Sequence, residues 1–406
     1  MTDRPVSHGP RRAALAFIFV TVVLDMLALG MIIPVLPLLI EDFRGGDTAS
    51  AARIVGLFGT SWAAMQLFAA PLLGSLSDRF GRRPIILLSN FGLGLDYVLM
   101  ALAPSLSWLF AGRLLSGVTS ASIPTAYAYI ADVTPPERRA RSYGLLGAAF
   151  GMGFIVGPAL GGWLGTFGPR TPFWFAAALS LANAAYGWFI LPESLPADQR
   201  SAFSWKRANP LGSLRLLRAE SGLVGFAVMH FLYHLAHQAL PAVFVLNSEY
   251  RFGWSSATVG LALAVSGVGS AIVQAGLVGR IVGTFGERRA LMAGLIFGTI
   301  GFVIYGLAPT GRIFAIGIPI LSLMGMYAPS LQSLATRLVG RDRQGALQGA
   351  LSSVQMSTGI FGPVLFSEVF ARSIQPGSIW PNAGAPYLLS AVLLVAAFVV
   401  TRRATR

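Results

Sequence analysis

The sequence predicts an all-α polytopic membrane protein with twelve transmembrane helices in two parallel six-helix repeats. Three observations lead there: a composition too apolar for water, twelve apolar runs of bilayer length, and an internal repeat at one fixed offset. Of 406 residues, 54% are hydrophobic and only 11% charged, whereas soluble domains carry roughly 25% charged residues. Runs of about 20 apolar residues cross the roughly 30 Å hydrocarbon layer. They fall at about 13–40, 53–76, 84–103, 107–131, 142–165, 171–191, 221–247, 257–282, 290–308, 312–335, 345–370 and 385–401.

Taken in order, the first run follows Arg11-Arg12 and is too long for a signal-peptide core, so it reads as a retained span. Runs two to six follow with short connections. The longest polar stretch, 192–220, then divides a first half, 1–191, from a second, 221–406, and is expected to be a cytoplasmic linker. With both termini on one side, that side collects 23 of the 30 Lys and Arg residues and the other only six. The positive-inside rule therefore places both termini in the cytoplasm. The same bias accounts for the net charge of +14 without a nucleic-acid partner. Absence of cysteine excludes a disulfide framework, thiolate metal sites and cysteine nucleophiles.

The repeat is read from residues that recur 205 positions apart: Gly74 with Gly279, Phe80 with Phe285, Gly81 with Gly286, Arg83 with Arg288, Pro124 with Pro329, Arg138 with Arg343, and Gly157-Pro158 with Gly362-Pro363. No gap is needed across ninety residues. An even number of spans per repeat preserves orientation, so the halves are related by an axis along the membrane normal, an architecture of transporters.

Against this background the loop Gly74-Ser75-Leu76-Ser77-Asp78-Arg79-Phe80-Gly81-Arg82-Arg83 resembles the signature loop between helices 2 and 3 of the major facilitator superfamily. Arg113 with Gly117, the run Gly153 to Gly162, and Pro192-Glu193-Ser194 resemble three further signatures. The fifth-span pattern is that of the antiporter branch. From Asp25 to Ser194 the chain is similar to the tetracycline efflux antiporters almost throughout, including Leu24-Asp25, Asp96-Tyr97 and Tyr129-Ile130-Ala131-Asp132. The resemblance implies the major facilitator fold and a bacterial inner-membrane exporter working as a monomer. It would move an amphipathic drug, above all tetracycline, against protons by alternating access. It implies no cofactor, with Mg²⁺ entering only as part of a chelated substrate. A proton-coupled carrier of another drug, a sugar or a metabolite is the alternative. No GxxxxGK[ST] loop is present to supply ATP drive, and no catalytic constellation suggests an enzyme.

Ionisable groups inside a membrane are costly and are functional candidates by default. Asp25 in the first span is the candidate proton carrier, or else a fixed partner of Arg113; Asp96 in the third span carries the same two readings. His230, His234 and His237 in the seventh span fall at about 0°, 40° and −20° on a helical wheel, one shared face. That spacing also suits a metal, but no carboxylate or second ligand-bearing helix is identifiable beside it. We read His230 and His234 as candidates for proton coupling. His237, Gln66, Arg113, Gln274 and Gln332 are candidates for the substrate cavity, with packing histidines and helix–helix hydrogen bonds as the other readings. His230 stands where Asp25 stands in the first half, because the two are 205 apart.

Two departures from the tetracycline exporters bear on this. Gly298 occupies the position of their ninth-span aspartate, and Ser270 that of their eighth-span histidine; the seventh-span histidines are candidate replacements. Gly74, Asp78, Gly81, Arg82, Arg83, Asp132 and Arg138 form the candidate cytoplasmic gate, with Gly283 in place of its aspartate in the second half. Gly153, Gly157, Pro158, Gly161 and Gly162 form a small-residue seam in the fifth span, where close helix contact and a proline kink are expected.

Overall fold

The computed structural model describes residues 9–120, 122–201, 203, 221–340 and 343–404. Most of the expected linker, residues 204–220, and both chain ends lie outside the described residues. Among the described residues all twelve apolar runs are helical, and ten helical stretches, four of them read through a break, are long and apolar enough to cross a membrane. The first half comprises α1 (Gly9–Ile32), α2 (Leu36–Phe43), α3 (Thr48–Phe80), α4 (Arg82–Leu102), α5 (Leu106–Thr119), α6 (Ser122–Val133), α7 (Pro136–Gly165) and α8 (Thr171–Ile190). The second comprises α9 (Ser221–His237), α10 (Ala239–Phe252), α11 (Ser256–Ile272), α12 (Val278–Phe285), α13 (Glu287–Leu307), α14 (Gly311–Ser322), α15 (Tyr327–Thr336), α16 (Gln344–Ser373) and α17 (Ala385–Ala404).

Four spans are interrupted, and they are the first and fourth of each half. α1 passes to α2 through a turn at 33–35, beside Pro34 and Pro37. α5 passes to α6 after Ser120, ahead of Pro124. α9 passes to α10 at Gln238, ahead of Pro241. α14 passes to α15 through a 3₁₀ turn, Leu323–Met326, ahead of Pro329. Proline lacks the amide that would bond the carbonyl four residues back and its ring crowds that carbonyl, so the break falls in the preceding turn. The eighth span is altered differently: a π turn, Val273–Leu277, separates α11 from α12.

Packing follows the repeat. α4 lies along α8 and α8 along α1; in the second half α13 lies along α17 and α17 along α9. Glycines permit the close approaches. A Cβ on Gly94 would lie 2.6 Å from the Leu181 side chain, and one on Gly306 would lie 2.6 Å from that of Leu388. The tight turns at Gly81 and Gly286 need φ of 105° and 80°, a region that side-chain-bearing residues avoid.

The helices form two compact units. One takes the described residues of Met1–Ile32, Met65–Gly157 and Arg170–Asn209; the other takes Ile33–Ala64, Pro158–Pro169 and Pro210–Arg406. The units do not coincide with the two sequence halves, because one end of spans 1, 2 and 5 groups with the later helices.

Candidate functional site

The first unit holds a buried polar cluster on four of its helices. Asp25 on α1 is 1% exposed and Asp96 on α4 is 0% exposed, positions at which an ionised group requires polar neighbours. Asn183 on α8 reaches across, its Nδ2 donating to Asp25 Oδ1 at 3.0 Å and to the Thr21 carbonyl at 3.1 Å. Asp96 has Arg113 within electrostatic reach and Ser116 as a side-chain neighbour, both on α5. It lies against Gly112, where a Cβ would stand 2.6 Å from Asp96 Oδ1. Tyr97, fully buried, stands within the fields of Asp25, Asp96 and Arg113 together. Asn183 and Ser116 are not among the candidates the sequence singles out, and Tyr97 enters there only within the Asp96-Tyr97 match; Asn183, a polar residue in the apolar sixth run, was the signal available.

The candidate gate assembles around Arg82. Its Nη1 donates to Asp78 Oδ1 at 2.5 Å and to the Ser77 hydroxyl at 3.1 Å, and its Nε donates to Asp132 Oδ2 at 3.1 Å. The Ser194 hydroxyl donates to the same Asp132 oxygen at 2.9 Å. Glu193 caps α4, accepting from the amides of Arg82 at 2.8 Å and Arg83 at 3.3 Å, and its carboxylate fills the space a side chain on Gly81 would need. Arg138 is exposed and is not brought into this cluster, and Gly74 faces open space.

The second half repeats this arrangement with its charges exchanged. Arg82 and Asp132 correspond, 205 residues on, to Glu287 and Arg337, and these two are also ion-paired. Glu287 further accepts from the Ser333 hydroxyl at 3.2 Å. Gly283 replaces Asp78: a carboxylate that pairs with Arg82 would repel Glu287.

The seventh-span histidines lie in an aromatic cluster. The His230 and His234 rings are 4.4 Å apart, Tyr233 stacks on Tyr327 at 3.7 Å, and the Tyr233 hydroxyl donates to the Met324 carbonyl at 3.4 Å. His230 bonds the backbone at Leu351 on α16. His237 opens instead into a cavity of about 210 Å³, whose polar lining includes Tyr233, Tyr305, Ser266, Ser270, Gln274 and Ser322. Ser270 and His237 thus share one cavity across facing helices. Gln274 belongs to the π turn and Met324 and Gly325 to the 3₁₀ turn, so both irregular segments border it. At about 30 Å³ per water the volume suits a handful of waters and falls short of the roughly 300 Å³ at which drug pockets begin. Gln66 on α3 and Gln332 on α15 are half-buried and do not line it. Among the described residues no three His, Asp or Glu side chains converge as metal ligands.

Gly298 shows why the second half holds no carboxylate there. A Cβ on it would stand 2.7 Å from Met324 Sδ and 2.8 Å from Leu394 Cδ1, so apolar side chains fill the place of an acidic one. The fifth-span seam splits between the units. A Cβ on Gly157 would lie 2.8 Å from Gly30 Cα, and one on Gly153 would lie 2.8 Å from the Leu27 nitrogen. Farther along, the Ser256 hydroxyl donates to the Gly162 carbonyl at 3.1 Å, and Gly260 lies against the Pro158 carbonyl.

The sequence profile of the Major Facilitator Superfamily matches residues 18–363 and, again, 226–406. This chain belongs to the Major Facilitator Superfamily. Within the superfamily it is 38% identical over 381 residues to the tetracycline resistance protein, class C, of Escherichia coli, covering 93% of this chain and 95% of that one. It is 35% identical over 392 residues to the class B protein of the same organism, covering 95% and 96%. The multidrug resistance protein 2 of Bacillus subtilis (strain 168) is 30% identical over 353 residues, covering 86% of each chain. Among solved structures, the human organic anion transporter MFSD10 (TETRAN) superposes with a TM-score of 0.70 at 25% identity, covering 97% of this chain and 100% of that one. The nucleoside transporter NupG superposes with a TM-score of 0.79 at 14% identity, covering 97% and 99%, a likeness of fold. The protein is therefore a polytopic membrane transporter of a small molecule and not an enzyme. Superfamily halves contain nested three-helix repeats, and discontinuous helices border the substrate sites of several transporter folds. Here the interrupted spans 1, 4 and 7 carry Asp25, Arg113 and the three histidines.

Proposed function

We propose that this transporter expels a tetracycline, or a related polycyclic amphipath, from the cytoplasm in exchange for protons. The observation that carries the reading is similarity to tetracycline resistance proteins over 93% of the chain, in a fold whose first unit buries two carboxylates, Asp25 and Asp96. A carboxyl group with low-dielectric walls holds a proton in one access state and releases it when water and a counter-charge reach it. Asn183 fixes the orientation of Asp25, and Arg113 supplies the counter-charge beside Asp96. In the second half the cavity at His237, with room for a handful of waters, serves proton movement; His230 and His234 lie beside it in the aromatic cluster.

The drug crosses as a Mg²⁺ chelate, the metal being part of the substrate, and the protein needs no cofactor. The halves 1–191 and 221–406 act as the two bodies of an alternating-access cycle, joined by the linker 192–220. Their cytoplasmic ends are held in one state by contacts centred on Arg82 and released in the other. The chain resides as a monomer in the bacterial inner membrane with both termini cytoplasmic, as its arginine distribution supports.

The test is proton release from acid-loaded inside-out vesicles on addition of tetracycline with Mg²⁺, comparing wild type, Asp25→Asn and vesicles without the protein. Release that requires both the protein and Asp25 is the expected result. No release from wild-type vesicles that contain the protein would remove tetracycline as the substrate.

A further inference from the structure

A groove of about 820 Å³ runs between α4 and α8, with none of Asp25, Asp96 or the three seventh-span histidines in its walls. Its walls are two matched stripes: Pro84, Leu87, Leu88 and Phe91 on α4, and Leu181, Ala184, Ala185 and Trp188 on α8. Each set follows i, i+3, i+4, i+7, one face of a helix. The two alanines leave the hollow, and Leu181 beneath it is held by contact with Gly94. Leu88, Phe91 and Trp188 are 50%, 49% and 64% exposed, so in a bilayer this face meets lipid rather than protein.

The mouth of the groove carries one charge. Arg83 sits there, its Nη2 donating to the Trp188 carbonyl at 2.5 Å and its guanidinium 5.9 Å from the Trp188 ring. Among the described residues no carboxylate pairs with that guanidinium. Glu193, the nearby acid, is committed to the amides of Arg82, Arg83, Ser194 and Leu195. From Arg83 to Phe91 the helix rises about 12 Å at about 1.5 Å per residue, roughly the upper part of one leaflet's hydrocarbon. Tryptophan is enriched at the headgroup level, and Trp188 stands beside the arginine.

We propose that this groove seats one phospholipid of the leaflet faced by the arginine-rich loops. Its anionic phosphate headgroup accepts hydrogen bonds from Arg83, and one acyl chain lies between the α4 and α8 stripes. The charge at the mouth selects an anionic headgroup, and the apolar walls select a membrane lipid over free phosphate.

Native mass spectrometry of the detergent-purified full chain tests this with dioleoyl-phosphatidylglycerol, dioleoyl-phosphatidylcholine and inorganic phosphate as separate probes. The wild type is expected to retain one phosphatidylglycerol about fivefold more tightly than phosphatidylcholine, the contribution of one basic residue at an anionic surface, and to retain no phosphate. Arg83→Gln should erase that preference, and Ala185→Phe, which fills the hollow from the lipid side, should reduce occupancy by both lipids. Size-exclusion profiles matching wild type establish that the variants are folded. Unchanged preference in Arg83→Gln, or unchanged occupancy in Ala185→Phe, overturns the proposal, as does binding of phosphate alone or a second copy of the chain taking the lipid's place.

Discussion

The charge exchange between the halves makes the Arg82 cluster open to a reversal test. Arg82→Glu replaces two ion pairs and a bond to Ser77 with a third carboxylate beside Asp78 and Asp132. The pair with Asp132 carries most of the effect, because those side chains are only 12% and 20% exposed. Asp78 is 39% exposed, and solvent screens its share. A charged hydrogen bond contributes about 1.5–3 kcal/mol, and two like charges about 4 Å apart repel by about 4 kcal/mol at the effective dielectric of a protein surface. With relaxation and screening, the single variant should lose roughly 3–5 kcal/mol. In the second half the same geometry holds Glu287, Arg337 and Gly283, so Asp78→Gly, Arg82→Glu and Asp132→Arg together write that set into the first half. The triple variant should recover at least half of the single variant's loss in apparent melting temperature, measured in detergent, and should regain drug-dependent proton release in vesicles. If the triple variant were no more stable and no more active than Arg82→Glu alone, the pairing logic would be wrong and position 82 would require arginine for another reason.

Four further outcomes follow from the packing and the polar clusters. Gly157→Ala should destabilise the protein by about 1–3 kcal/mol, since its Cβ would meet Gly30 Cα at 2.8 Å and the Leu27 carbonyl at 2.9 Å, backbone atoms that cannot rotate away; a melting curve equal to wild type would refute this. Gly298→Asp should lower yield and melting temperature far more than Gly298→Ala, because a buried carboxylate among Met324 and Leu394 costs several kcal/mol whereas a methyl displaces only flexible side-chain ends; equal stability of the two variants would count against that apolar filling. Asn183→Ala should leave a folded transporter whose transport rate is about tenfold lower, the equivalent of one charged hydrogen bond of roughly 1.5 kcal/mol; an unchanged rate would show that the bond to Asp25 has no part in transport. Finally, His237→Leu should impair proton-coupled transport more than His230→Ala or His234→Ala, since His237 alone of the three opens to the cavity; indifference of all three variants would leave coupling to the first-half carboxylates.

The fold was legible in the sequence because a bilayer imposes simple rules. Twelve apolar runs, a charge bias between loops and a register of 205 residues need no knowledge of contacts, since each span must satisfy its own backbone hydrogen bonds in hydrocarbon. The prolines near the breaks were equally visible, yet their common placement in the first and fourth span of each half emerged only once the helices could be traced. Of the site, buried ionisable residues could be named from sequence because charge in an apolar run stands out. Their partners could not. Asn183 reaches Asp25 from 158 residues away, and Arg337 meets Glu287 across 50.

What the sequence by itself determined was the number of spans, the two-fold repeat and the short roll of ionisable residues inside the spans. Tertiary structure alone decided which of those residues share a site. It set Asp96 beside Arg113 and Asp25 beside Asn183, put His237 and Ser270 in one cavity, filled the place of an acidic side chain at Gly298 with Met324 and Leu394, and left Arg138 outside the gate. The physical reason is that hydropathy is a property of each segment, additive along the chain, whereas a polar site depends on which helix faces which and on the rotation of each about its axis. Those are fixed by side-chain volumes at contacts distant in sequence, and here by glycines that let backbones come within about 3 Å of a would-be Cβ.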